Sequence, residues 1–248
     1  MYTGLPMGDI RVPAMSKGTC GWEGEVSDAD ASGNTFSSVL LQPKRISCYI
    51  DISKQLLAQD TIGVDAAIRR DLYNAIASKV QKTFLSADEG TSTKPAGIFY
   101  GETLKDITSY KDLCDFEAAV ADANANGEKK YLVSNKAKAA LRNMAKSALT
   151  NQLVLENGNI DGTQVIANSD VPSKNCIYGD FSNIVLASWG DIEVTVDPYS
   201  QAIKNCVRIV LNGFFDWKKV RASEDVLVYG KVDDEDEPID PSTLDTSI

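Results

Sequence analysis

Histidine is absent from this chain of 248 residues. That removes the commonest general base, the usual partner of a nucleophilic serine and the commonest transition-metal ligand together. Hydrolytic chemistry of the familiar kinds is therefore not expected. Cysteine is sparse: Cys20, Cys48, Cys114, Cys176 and Cys206 stand singly, odd in number and with no C-x-x-C spacing. Neither a disulfide framework nor a zinc site follows from that pattern, and the five read as small buried hydrophobes in a reducing compartment. Basic charge is in deficit, with 35 acidic against 25 basic residues and a formal net charge of −10. Tight sequence-independent binding to nucleic acid needs many cations to neutralise phosphates, so it is not expected here. No apolar run approaches the ~18 residues of a membrane span. The N-terminus MYTGLPMGDI has neither the charged nor the apolar region of a signal peptide. A soluble chain made in the cytoplasm is the expectation, long enough to bury roughly 70–75% of its unfolded surface in one large domain or two modest ones.

What is present is organised by period. Residues 1–10, with Gly4, Pro6 and Gly8, read as an extended arm, and short strands are predicted at 11–15 and 20–26, followed by a polar turn region at 27–34. From Arg45 to Ser53 the alternation is strict: Ile46, Cys48, Ile50 and Ile52 fall on one face. Pro43 cannot donate to a ladder and should separate this strand from the segment 36–41. Residues 11–50 therefore look like a long two-stranded excursion. A lone ribbon is marginally stable in water and needs something outside its own domain to pack on. The period then changes, with Ile68, Leu72, Ile76, Val80 and Phe84 at steps of four predicting a spine helix over 61–84, capped by Asp60 or Thr61. Helices are predicted at 111–124 and 135–147 around a strand at 131–133, with Ser134 or Asn135 as a cap. Strands are predicted at 164–167, 175–178, 183–187, 192–196, 206–212 and 226–229. The acidic run Asp233-Asp234-Glu235-Asp236-Glu237 opens a solvated tail, 233–248, expected to be disordered.

The stretch Gly90-Thr91-Ser92-Thr93-Lys94 has the residues of half a phosphate-binding loop but the wrong context. Such a loop precedes a helix, whose N-terminus favours an anion. This one follows a helix, where the dipole is negative, and Lys94 is succeeded by Pro95. It reads as a helix-to-strand turn in which Gly90 and Gly97 supply unusual backbone angles.

Five stretches in order carry a likeness. They are Gly21-Trp22-Glu23-Gly24-Glu25 with Pro13 upstream; Pro43-Lys44-Arg45-Ile46 leading into Ile52-Ser53-Lys54-Gln55-Leu56-Leu57; and the spine helix ending in the loop just described. Gly179-Asp180-Phe181-Ser182 before Ile184-Val185-Leu186-Ala187, and Val207-Arg208-Ile209-Val210 to Asp216, complete the set. Together they resemble the major capsid proteins of tailed phages with the HK97 fold. The resemblance implies an α+β, HK97-like capsid fold with an extended β-hairpin loop (11–50), a peripheral domain (51–109, returning at 186–232) and an axial domain (110–185), after an N-terminal arm (1–10). It also implies a structural role and not an enzymatic one: self-assembly into pentamers and hexamers of an icosahedral head around double-stranded DNA, with no cofactor and no membrane. A scaffolding protein or protease and a portal are the implied partners, with the host cytoplasm as the place of assembly and the virion capsid as the destination.

Family precursors often carry a long N-terminal scaffolding segment, whereas here the extended loop begins almost at once. Trimming, proteolytic removal and a separate scaffold are the three explanations. The founding member also joins a loop lysine to a neighbour's asparagine with help from a glutamate. Asn205 matches the asparagine, but the glutamate position falls on Asn212, and neither Lys17 nor Lys44 aligns with the lysine. An amide cannot take a proton as a carboxylate does, so autocatalytic crosslinking is not expected.

Candidate contacts between copies are Trp22, Glu23, Glu25, Pro43, Lys44 and Arg45. Trp22 on a projecting ribbon suits packing on a neighbour. Glu23 and Glu25 share a strand face, which reads as a solvated or salt-bridging face ahead of an acid/base pair. Asp112, Asp115 and Glu117 open a helix, where negative charge complements the dipole, ahead of metal binding. An encapsulin-like shell around cargo enzymes is the alternative to a phage head. A small α/β transferase or hydrolase built on 131–147 is the alternative from another class.

Overall fold

The computed structural model describes residues 2–4, 8–15, 22, 36–59, 63–123, 127–147, 152–221 and 226–233. The chain forms two units, Met1–Tyr100 with Ser182–Ser223, and Gly101–Phe181 with Glu224–Ile248. The first unit opens with β1 (Tyr2–Gly4), β2 (Ile10–Met15), β3 (Phe36–Leu41), β4 (Lys44–Ser53), α1 (Lys54–Gln59) and α2 (Val64–Phe84). The second holds β5 (Lys105–Ile107), α3 (Tyr110–Asp122), β6 (Lys129–Ser134), α4 (Asn135–Asn143), β7 (Asn159–Ile160), β8 (Thr163–Asn168) and β9 (Asn175–Asp180). The chain returns to the first unit for β10 (Ile184–Trp189), β11 (Glu193–Asp197) and β12 (Cys206–Lys219), then closes the second with β13 (Leu227–Val232).

In the first unit β12 is the organising strand. It pairs antiparallel with β4 over 206–215, with β11 over 208–212 and with β10 over 215–219, and β1 lies parallel to β10. The predicted alternation holds: Ile46, Cys48, Ile50 and Ile52 turn to one side with Ile209 and Leu211, and there they meet Ile68, Leu72, Ile76 and Val80 of α2. Two periods, two on the strand and nearly four on the helix, thus describe the same interface from its two sides. At about 31 Å, α2 spans the sheet. It starts at Val64 and not at 61, because Gly63 sits at φ 78° and cannot continue a helix; Asp60 and Thr61 lie outside the described residues.

The second unit packs α3 and α4 on a six-stranded sheet of order β5-β13-β9-β6-β8-β7. Leu113, Phe116, Val120, Ala137 and Leu141 from the helices meet Tyr131, Val133, Val165, Cys176, Tyr178 and Val228 from the strands. Ser134 accepts the Ala137 N–H at 3.1 Å, the predicted cap. That hydroxyl is buried and engaged in the cap.

The limits of the ribbon and of the two units differ from the sequence reading, as do the end of α4, at Asn143 and not 147, and the end of β12, at Lys219 and not 212. The two-stranded ribbon pairs 10–15 with 36–41 and does not extend to 50 as expected, since β4 is hydrogen-bonded to β12 along its length. The second unit begins at Gly101 and ends its first pass at Phe181, earlier than the expected 110 and 185, because β5 pairs with β13 while β10 joins β12. Residues 227–232, expected with the returning strands of the first unit, belong to the second, where β13 fills the place between β5 and β9. Short elements without a period of their own, α1, β5 and β7, were not anticipated. Asp233 donates its N–H to the Ile107 carbonyl, so the first residue of the expected tail is anchored; 234–248 lie outside the described residues.

Candidate assembly surface

The ribbon β2–β3 runs from Ile10 opposite Leu41 to Met15 opposite Phe36. Its root is covered by its own unit: Val12 and Leu41 are buried with Ala187, and Ile10, Val185, Trp189 and Val220 close around them. The Trp189 indole N–H donates to the Gly8 carbonyl at 2.7 Å. At the outer end cover is lost, with Phe36 at 79% exposure and Trp22 fully exposed. Glu23 and Glu25 lie outside the described residues.

Where the ribbon passes into β4, a buried carboxylate sets the angle. Asp216 on β12 is 2% exposed; it accepts the Gln42 N–H at 2.9 Å and faces Lys44 Nζ at 3.8 Å. Pro43, having no N–H, occupies the gap between the two ladders. Lys44 also donates to the Lys94 carbonyl at 3.2 Å, and the Trp217 indole N–H donates to Ala96 at 2.7 Å while its ring meets Phe84 edge-on at 5.5 Å. Sheet, ribbon, spine helix and the 85–99 turn are thereby fixed to one another. Of the contact candidates here, Pro43 and Arg45 are exposed, while Lys44 is half-buried and engaged inside its own unit. Asp216 was missed as a joint; its one sequence signal is a carboxylate flanked by Phe215 and Trp217 in an apolar strand.

The 85–99 turn is a tied loop. Thr91 N–H donates to the Lys94 carbonyl, Thr91 Oγ1 accepts the Lys94 N–H, and Lys94 Nζ pairs with Asp88 at 2.5 Å. This internal pairing holds the Asp88 carboxyl below its ordinary range. Gly90 and Gly97 are needed for space and not, as expected, for unusual angles. Neither has positive φ, but a Cβ on Gly97 would lie 1.9 Å from the Ser86 carbonyl oxygen and one on Gly90 2.8 Å from Ala96 N. Beside the turn, Lys44, Arg45, Ile46, Lys79, Val80, Thr83, Thr93, Lys94, Pro95, Phe215 and Trp217 line a groove of about 230 Å³.

The face of the sheet away from α2 carries the crosslink-position matches. Asn205 occupies a left-handed position (φ 52°) and its carbonyl accepts the Lys54 N–H at 2.9 Å. Asn212 lies seven residues along β12, between Ser47 and Glu193 on the neighbouring strands. The carboxylates closer to Asn205 in register, Asp51 and Asp197, are both tied. Arg208 grips Asp51 through two hydrogen bonds of 2.7 and 2.8 Å and lies 4.4 Å over the Tyr49 ring, and Ser200 donates to Asp197. These bonds hold both carboxyls below the usual range, where they are poor proton acceptors. In the same sheet Tyr199 and Ile203, on the turn between β11 and β12, project with almost no cover.

Of the cysteines, Cys176 is buried, its thiol pushed up to about 12 by burial, and Cys48 and Cys206 are half-buried. Cys114 is exposed, contrary to the expectation of burial, because it falls on the outer face of α3. Cys20 lies outside the described residues. Among the described residues no group of three or more cysteines and carboxylates could hold a metal ion. Nor is any helix among them long and apolar enough to cross a membrane. Asp112 serves as a helix cap, Glu117 is half-buried beneath Tyr131, and Asp115 is exposed.

Two compact units, a long spine helix under a sheet and a ribbon uncovered at its outer end define the HK97-like capsid fold. Residues 5–226 match the Phage capsid family, and the chain belongs to that family, whose members are structural proteins and not enzymes. It is 28% identical over 203 residues to the major capsid protein of Halomonas phage phiHAP-1, matching 79% of this chain and 33% of that protein. The chain thus spans about a third of the length of that curated relative. A solved capsid of an empty GTA particle, computed with C5 symmetry, superposes with TM-score 0.75 at 16% identity, covering 94% of this chain and 87% of the other. The corresponding chain of Microbacterium phage Oxtober96 gives 0.71 at 14%, covering 92% and 87%, and that of Mycobacterium phage Adephagia 0.71 at 15%, covering 92% and 86%.

Proposed function

We propose that this chain is the major capsid subunit of a phage head, assembling with copies of itself into pentamers and hexamers of an icosahedral shell around double-stranded DNA, without covalent crosslinks. The observation that carries this is the ribbon: a covered root and an outer end, Phe36 and Trp22, left in solvent by the chain that makes it. Ribbons of this kind gain stability only by packing on something else, and many weak contacts of one type multiply by valency into a closed container. On this reading the first unit is the peripheral domain and the second the axial domain, while scaffold or protease and portal act in the host cytoplasm. The relatives named above are phage and GTA capsids, which favours a head over an encapsulin-like shell. The net charge of −10 suits contents that must be packed and released, since a strongly basic lining would retain a genome.

The test is expression of the chain alone and with its genomic neighbours, followed by negative-stain microscopy. Closed shells or capsomer-sized rings are the expected result. A protein that stays monomeric at high concentration in the presence of those neighbours overturns the reading.

A further inference from the structure

The groove beside the spine helix has a chemistry that its own unit does not use. Its walls are apolar, with Ile46, Val80, Phe215 and Trp217, and its rim is cationic, with Arg45, Lys79 and Lys94. Lys94 is held by Asp88. Among the described residues Arg45 and Lys79 have no carboxylate within ion-pair distance, and Lys79 acts on Asp88 only at longer range. An apolar slot with unpaired cations at its edge fits a segment that carries one aromatic ring followed by carboxylates.

Two segments of the chain open with an indole followed by carboxylates and carry no cation; the one that begins at Trp189 is held in the sheet of its own unit through β10 and β11, which leaves the other. Trp22-Glu23-Gly24-Glu25-Val26-Ser27-Asp28-Ala29-Asp30 begins with an indole, carries four carboxylates and has no cation. Trp22 is fully exposed on its own chain and is not among the residues that line the groove. Leu41, three residues from Lys44 of the groove, lies at the root of the ribbon, and the five residues from there to Phe36 span about 17 Å. The acidic run at 233–237 has charge but no aromatic anchor.

The geometry points to a second copy as the occupant: Trp22 of one chain seats in the groove of its neighbour, and Glu23 and Glu25 meet that neighbour's Arg45 and Lys79. This rests on the shell reading and names the surface the ribbon reaches.

To test it, a photo-crosslinking benzophenone amino acid replaces Trp22 in the full chain, light- and heavy-nitrogen chains are mixed before assembly, and crosslinked peptides are read by mass spectrometry. Mixed-isotope products joining position 22 to 44–46, 79–83 or 93–95 are expected. Products confined to one chain, or joining position 22 to another surface such as that around Tyr199, overturn the inference. Because particles are scored separately by microscopy, that outcome leaves the shell reading standing, whereas absence of any particle sinks both. With the benzophenone at position 79, capture of 233–248 in place of 22–30 overturns it as well. An independent arm uses charge. Lys79→Glu is expected to lower particle yield at low salt about tenfold, and Glu25→Lys in the same chain to restore it; no loss, or loss without rescue, counts against the inference.

Discussion

At the scale of single residues, the positions that matter most are set by room and by burial. Gly97 faces the Ser86 carbonyl so closely that any Cβ must displace backbone. Gly97→Ala should therefore destabilise the first unit on the order of 3 kcal/mol, read as a lower denaturant midpoint, well above the effect of a surface substitution. Asp216 has a different reason for its place. Its buried carboxylate accepts the Gln42 N–H and faces Lys44, so Asp216→Ala removes a hydrogen bond to a charged group and a neighbouring ion pair and should cost about 1–3 kcal/mol. The same variant should loosen the ribbon root, measurable as faster hydrogen exchange at 39–42 while α2 keeps its protection.

At the scale of elements, the second unit holds two carboxylates whose pH dependences run in opposite directions. Asp112 accepts from the N–H groups and hydroxyls of Thr108 and Ser109 at the start of α3, and these bonds hold its carboxyl below the ordinary value. A depressed folded pKa means that its stabilisation is present above about pH 4 and fades as the pH falls through the lower folded value. Asp112→Ala should cost about 1 kcal/mol at neutral pH and progressively less in acid. Glu117 is the reverse case. Burial raises its carboxyl while the Tyr131 hydroxyl donates to it at 3.0 Å, so ionisation works against the fold once the pH exceeds the unfolded value of about 4.3. Glu117→Gln keeps the acceptor and removes the charge. It should be at least as stable as the natural chain at pH 7, the difference vanishing below about pH 4 in thermal melts. Nearby, Asp161 joins Tyr110 and Lys146 through bonds of 2.7 and 2.6 Å, tying the head of α3 to the β7–β8 turn.

At the scale of the whole molecule, the chain belongs to a structural family, and the proposal of a noncovalent shell has a direct check. Assembled particles boiled in detergent and reductant should run as a single monomer band, because the carboxylates in register near Asn205 are tied to Arg208 and Ser200 and Asn212 cannot accept a proton. A ladder of covalent multimers would mean that another carboxylate, with Glu193 beside Asn212 the first to examine, supplies the base.

The local elements were legible from the chain alone, because period is local: alternation at 46–52 and steps of four at 68–84 dictate a strand and a helix whatever surrounds them. The lack of histidine argued against familiar hydrolytic chemistry, and the structural role was implied by the family resemblance that the five ordered stretches carry. Tertiary structure decided what depends on partners distant in sequence. That β4 belongs to the sheet and not to the ribbon, that β13 crosses to the second unit, and that Asp216 braces the joint all follow from pairings between residues about 50 to about 170 positions apart. Likewise Gly97 and Lys44 owe their roles to atoms of Ser86, Lys94 and Asp216, and such roles exist only once the chain has closed on itself.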